Sequence, residues 1–114
     1  MFALGSATKI YLAPGVTDMR KSFDTLATLV TIQLKLDPLS GHLFVFCNRR
    51  RDRLKILVFD QSGLWICAKR LERGCFKWPQ TTNTTVTMNQ QELALLLGGI
   101  DLQKTAQRQW WRKD

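Results

Sequence analysis

The chain is short of the groups that most catalytic, metal-binding and membrane proteins rely on. It holds one histidine, His42, and three cysteines, Cys47, Cys67 and Cys75, in 114 residues. The cysteines are odd in number, show no CxxC spacing, and two of them fall inside apolar runs. Buried thiols are therefore expected in place of a disulfide framework or zinc knuckle. No GxxxxGK[ST] or GxGxxG stretch occurs, which removes the common phosphate-cradling loops. No segment approaches about 18 uncharged apolar residues, the length a membrane-crossing helix needs. The opening MFALGSATKIYLAPG lacks a basic region leading into a long apolar stretch, so a cytoplasmic, soluble protein with no membrane partner is expected. Nothing in the pattern calls for a cofactor or a metal.

Acidic side chains are scarce too. Nine Asp plus Glu stand against seventeen Lys plus Arg, a net charge of +8, with an isoelectric point near 9.9. Such a balance biases a protein toward polyanions, nucleic acid first, and says nothing about fold. At 13.1 kDa and 45% hydrophobic, the chain matches one domain and buries roughly two-thirds of its unfolded surface. Residues 1–102 read as a single α+β domain and 103–114 as a basic, tryptophan-containing tail without packing periodicity.

The excess charge is concentrated. Residues 49–77 hold nine basic side chains (Arg49, Arg50, Arg51, Arg53, Lys55, Lys69, Arg70, Arg73 and Lys77) against Asp52, Asp60 and Glu72, net +6, while the flanking thirds carry +1 each. That is a patch, provided the fold keeps it together.

Hydrophobic spacing supplies the elements. Residues 9–13 lean toward strand and close on Pro14-Gly15, a turn pair. Phe23, Leu26, Ala27, Val30 and Leu34 recur at three- and four-residue intervals, which predicts one long N-terminal helix over 19–35, capped by Thr17 or Asp18. Asp37-Pro38-Leu39-Ser40-Gly41 breaks it. Residues 42–48, 54–60 and 64–71 are rich in Phe, Val, Ile and Trp and are separated by RRRDR and QSG, as in an antiparallel β-meander. Alternation sends Phe44 and Phe46 one way and Leu43, Val45 and Cys47 the other; Leu54, Ile56 and Val58 likewise oppose Leu57 and Phe59. Strands apolar on both faces need cover on both, so either a further layer folds back or a second copy supplies it. Residues 75–78 read as a fourth strand stopped by Pro79, and 86–88 as a last β segment. Asn89 with Glu92 three residues on reads as the cap of one short C-terminal helix ending at Gly98-Gly99.

The runs DMRKSFDTLATLV at 18–30, DPLSGHLFVFCNRRRDRLKILVFD at 37–60, GLWICAKRLERGCFKWP at 63–79 and LALLLGGID at 93–101 together resemble one family. It is the small accessory protein TnpB of the insertion sequence sixty-six (IS66) elements of bacteria. The resemblance covers roughly residues 9–101 in order, and Cys75 departs from it where a basic residue is expected. It implies an accessory factor in transposition, working beside a separate, larger transposase that cuts DNA and another accessory protein of the same element. It implies no catalytic or binding residues.

Site candidates therefore come from chemistry alone. Four guanidiniums in one hairpin loop, Arg49, Arg50, Arg51 and Arg53, repel one another unless water or an anion surrounds them, and guanidinium matches phosphate bidentately. With Lys55, Lys69, Arg70, Arg73 and Lys77 they form the candidate DNA contact; the bland reading is a solvated loop, with Lys69 or Arg70 paired to Asp60 or Glu72. Whether the end of the third strand lies beside the loop or at the far edge is left open. Trp110-Trp111, between Arg108 and Arg112-Lys113, is a candidate stacking element on unpaired bases or a partner contact. Catalysis has little support, because no Ser or Cys has a local base. Asp18, Asp60 and Asp101 leave a two-metal centre open by spacing alone, yet a helix start, a turn and a Gly-Gly exit account for each. The expected function is non-catalytic DNA binding at element ends. The alternative is an adaptor that docks on the transposase or the other accessory protein without touching DNA.

Overall fold

A computed structural model describes residues 5–99. Strand β1 spans Ile10–Leu12, helix α1 Phe23–Leu29 with a π-helical continuation Val30–Leu34, β2 Leu43–Cys47, β3 Arg53–Phe59, β4 Leu64–Arg70, β5 Val86–Met88 and helix α2 Gln90–Leu97. The strands form one sheet in the order β4-β3-β2-β1-β5. The fold is α+β as expected, but the sheet is mixed. β2, β3 and β4 are the antiparallel meander, whereas β1 runs parallel to β2. The cause is the link between them: a connection long enough to carry α1 over one face returns the chain to its starting end, so the next strand enters in the same direction. β5 then closes the other side antiparallel to β1.

The first helix is shorter than its stripe suggests. Asp18 does not cap it; its carboxylate accepts the Arg20 N–H at 2.9 Å and binds the Arg20 guanidinium at 2.6 Å, holding a turn before the helix. Ser22 is the cap residue, and its N–H donates to the Thr25 hydroxyl at 2.8 Å. At the far end the β-branched Thr31 and Ile32 lie in the π-helical turn, which Lys35 closes in the left-handed region, φ 58°. Leu26, Val30 and Leu34 of the stripe are buried, but Phe23 is 45% exposed.

Both faces of the sheet are covered, and by the chain itself. Leu26, Val30 and Leu34 pack with Phe44, Phe46 and Leu57 on one side. Leu43, Val45, Cys47, Leu54, Ile56 and Val58 face the other, where Phe76, Trp78, Leu93 and Leu96 cover them. The alternation read from sequence is thus the observed one, and a further layer folds back.

That second layer corrects the expected fourth strand. Residues 75–78 pair with no strand; they cross the sheet face as extended coil, with Phe76 and Trp78 inward and Cys75 and Lys77 outward. The Phe76 N–H donates to the Arg51 carbonyl at 2.6 Å and the Trp78 indole N–H to the Ala13 carbonyl at 2.9 Å, which ties the segment down without a ladder. α2 follows the expected pattern: the Asn89 side chain accepts the Glu92 N–H at 2.7 Å, and the Glu92 carboxylate accepts the Asn89 N–H at 2.9 Å. Gly99 leaves it at φ 80°, a conformation that costs a side-chain-bearing residue.

Candidate nucleic-acid interface

The basic loop is organised by the residue before it. Asn48, at the end of β2, accepts the N–H groups of Asp52 and Arg53 on its side-chain oxygen, both at 3.1 Å, and donates to the Asp52 carboxylate at 2.8 Å. Its carbonyl accepts the Arg51 N–H at 3.2 Å. The hydrogen bond from Asn48, supported by the charges of Arg50 and Arg53, holds the Asp52 carboxyl below its usual range. This anchor was overlooked in the sequence, although an Asn at a strand end followed by a charged turn is its signal.

The four loop arginines divide. Arg49, Arg50 and Arg53 are exposed. Arg51 sits at φ 59° and turns inward, donating to the Gly15 carbonyl at 3.1 Å and the Pro14 carbonyl at 3.4 Å, with its guanidinium 5.4 Å from the Trp78 ring centre. It ties residues 14–15, the loop and the Trp78 coil together, so its side chain works as a brace for the loop.

Strand register answers where β4 ends. Arg53 lies opposite Arg70, Leu54 opposite Lys69 and Lys55 opposite Ala68. The Leu71 N–H then donates to the Asp52 carbonyl at 2.8 Å, and residues 71–78 run back past the loop, carrying Arg73 and Lys77. The basic segments 49–55 and 69–77 therefore meet at one end of the sheet. They share an end and not a face: Arg53, Lys55 and Arg70 are on the α1 side, Lys69 on the other.

Nor do carboxylates neutralise this end. Arg70 pairs with Glu72 at 3.0 Å, both well exposed. Lys55 donates to the Lys21 carbonyl at 2.8 Å and Lys69 to the Leu97 carbonyl at 2.9 Å, at the C-terminus of α2; a carbonyl orients an ammonium and leaves its charge in place. Arg49, Arg50, Arg53, Arg73 and Lys77 make no side-chain hydrogen bond or ion pair with another described residue. Like charges directly opposite on neighbouring strands are destabilising, as Arg53 and Arg70 are. A concavity of about 460 Å³ opens between them, lined by Arg53, Lys55, Lys69 and Arg70 with Met19 and Glu72.

Other polar candidates have structural roles. The His42 ring nitrogen Nδ1 accepts the Lys9 N–H at 3.0 Å, and Asp60 accepts the Trp65 indole N–H. Among the described residues no group of three or more His, Cys, Asp or Glu could hold a metal, and no helix is long and apolar enough to cross a membrane. Cys47 is buried, and burial pushes its thiol upward; Cys67 is half-buried and shifted the same way; Cys75 is exposed, against expectation. Asp101, Arg108, Trp110, Trp111, Arg112 and Lys113 lie outside the described residues.

The family described as IS66 Orf2 like protein matches residues 8–107. The chain belongs to that family. Its relatives include the uncharacterized protein y4hO of Sinorhizobium fredii (strain NBRC 101917 / NGR234), 41% identical over 101 residues that cover 89% of this chain and 88% of that one. The uncharacterized protein y4jC of the same strain is 36% identical over 93 residues, 82% of this chain and 80% of the relative. No solved structure matches. As an IS66 Orf2-like protein, the chain is an accessory protein of an insertion element, a family not known as catalytic. The match includes both the sheet and its basic end.

Proposed function

We propose that this protein serves transposition without catalysing a step, by holding element DNA against the basic end of its sheet. The observation that carries the reading is the meeting of two basic segments, distant in sequence, at one end where five cations have no side-chain partner among the described residues. Residues 49–53 are positioned by Asn48 and braced by Arg51, so the exposed guanidiniums sit on a rigid mount. A DNA-bound protein would work in the cytoplasm beside the transposase.

The test is an electrophoretic shift series against the element ends over a salt gradient. With about five phosphates neutralised, log affinity falls against log salt with a slope of about −4.5. Binding that ignores salt sinks the proposal.

One observation favours the adaptor reading. The central strands are covered on both faces, but Phe23 at 45% and Ile32 at 68% exposure stand on α1 and its continuation, and Trp65 at 43% stands on β4. An adaptor keeps the transposase bound in high salt after Arg49, Arg50 and Arg53 become Ala; a DNA-binding factor loses the element ends under that change.

A further inference from the structure

Strand β4 is the last strand on the meander side of the sheet, and the ladder shows which of its groups face away from β3. The Leu71 N–H donates to the Asp52 carbonyl and the Asp60 N–H to the Gly63 carbonyl. In the same register Trp65, Cys67 and Lys69 bond to β3, so the N–H and C=O groups of Leu64, Ile66, Ala68 and Arg70 point outward. Those four make no backbone hydrogen bond with another described residue. Such an edge is a template for a further strand. Neither proline nor a bulge interrupts it over its seven residues, and Trp65 stands on it 43% exposed.

Charge selects the occupant, because the two ends of β4 differ in sign. Lys69 and Arg70 lie at one end. Asp60 lies at the other, on the face of Trp65, whose indole N–H it accepts. Glu72 answers Arg70, while Lys69 gives one donor to the Leu97 carbonyl and keeps two. A second copy laid antiparallel therefore sets the basic end of each beside the acidic end of the other. Only the symmetric register centred on Cys67 pairs all seven residues. In it Leu64 bonds to Arg70 and Ile66 to Ala68 of the second copy, and Trp65 lies opposite Lys69 of the second copy on one face. That ammonium meets the indole and the Asp60 carboxylate together. Neither Lys69 nor Arg70 lies opposite a like charge.

We infer that β4 is a self-association edge: two copies join about a two-fold axis at Cys67 into one sheet with twice the five strands of a single copy, carrying a basic end at each extremity. The dimer stands apart from the DNA-binding reading and is tested without DNA.

Sedimentation velocity of the full chain in reducing buffer, from about 1 to about 500 µM, is expected to show a species of twice 13.1 kDa that grows with concentration. Ala68→Pro removes an N–H that β3 does not use, so the circular dichroism spectrum is expected to stay the same while the dimer weakens about a hundredfold. Asp60→Lys and Lys69→Asp are each expected to weaken it about tenfold, and the two together to restore it, since the pair is then only reversed. A monomer at every concentration overturns the inference, and so does a dimer indifferent to Ala68→Pro. A double variant no tighter than its single variants overturns the Cys67-centred register on which the choice of a second copy rests.

Discussion

The two turns that flank β3 make the most informative contrast in the molecule. Each closes a hairpin and each uses a non-glycine residue in the left-handed region, Arg51 at φ 59° in one and Gln61 at φ 64° in the other. The turn at residues 60–63 is DQSG, with one carboxylate and no cation; the loop at 48–53 is NRRRDR. β3 can evidently be closed without arginine, so hairpin geometry does not explain Arg49 and Arg50. Arg51 differs from its neighbours, because the fold uses it. The contrast separates cations that hold the structure from cations that the structure holds out.

The largest effect is expected where the cationic end is attached to the body. Phe76 is 2% exposed and anchors the strap that carries Arg73 and Lys77 past the loop. Phe76→Ala should cost about 3–5 kcal/mol of stability in urea unfolding. A loss under about 1 kcal/mol would mean that the strap is not part of the core.

Removing the charge without touching the core sharpens the contrast. Changing Arg49, Arg50, Arg53 and Arg73 to Ala should flatten the salt slope by about 3.6 and weaken DNA binding about a hundredfold at low salt, with the unfolding midpoint nearly unmoved. Changing Gln61 and Ser62 in the other turn to Ala should leave DNA affinity within about twofold, since neither carries charge for phosphate to meet. Equal effects at both turns would erase the distinction.

Asn48 tests whether the loop must be preorganised. Asn48→Ala strands the Asp52 and Arg53 amides and should cost about 1–2 kcal/mol, seen as faster hydrogen exchange at those two positions. If the arginines need a rigid mount, DNA affinity falls as well although no charge is removed.

What was legible follows the range of the interactions involved. The two-faced strands could be read because side-chain alternation is local, and the α2 cap because Asn89 and Glu92 are three residues apart. The cationic loop was equally plain, as composition between two strands. The parallel placement of β1 was not, since strand order depends on pairing between distant segments. The coil at 75–78 looked like a strand because any extended segment alternates, and only a missing ladder distinguishes the two. TDMRKS offers several cap residues within six positions, and the choice of Ser22 followed from Asp18 being engaged by Arg20. The inward turn of Arg51 depends on Trp78 and Pro14, far along the chain, so no local pattern could separate it from Arg49 and Arg50.

The smallest effect concerns that Asp18–Arg20 pair, a cation held by a carboxylate, unlike Arg49, Arg50 and Arg53 at the basic end. The hydrogen bond from the Arg20 side chain, then that from its backbone N–H, brings the Asp18 carboxyl from 3.8 down to about 2. A carboxyl with a lowered folded-state pKa contributes stability above its unfolded value, and the contribution is lost as pH falls through the folded one. The window is therefore from about pH 4 down to about pH 2, with nothing expected near neutrality. Both side chains are largely in water, at 91% and 42% exposure, where ion pairs contribute little. Asp18→Asn should consequently leave the unfolding midpoint almost unchanged at pH 7 and reduce its slope with pH only in the acid window. The carboxyl carbon resonance of Asp18 followed by NMR should titrate near 2, and a midpoint near 3.8 would show that Arg20 is as free as Arg49.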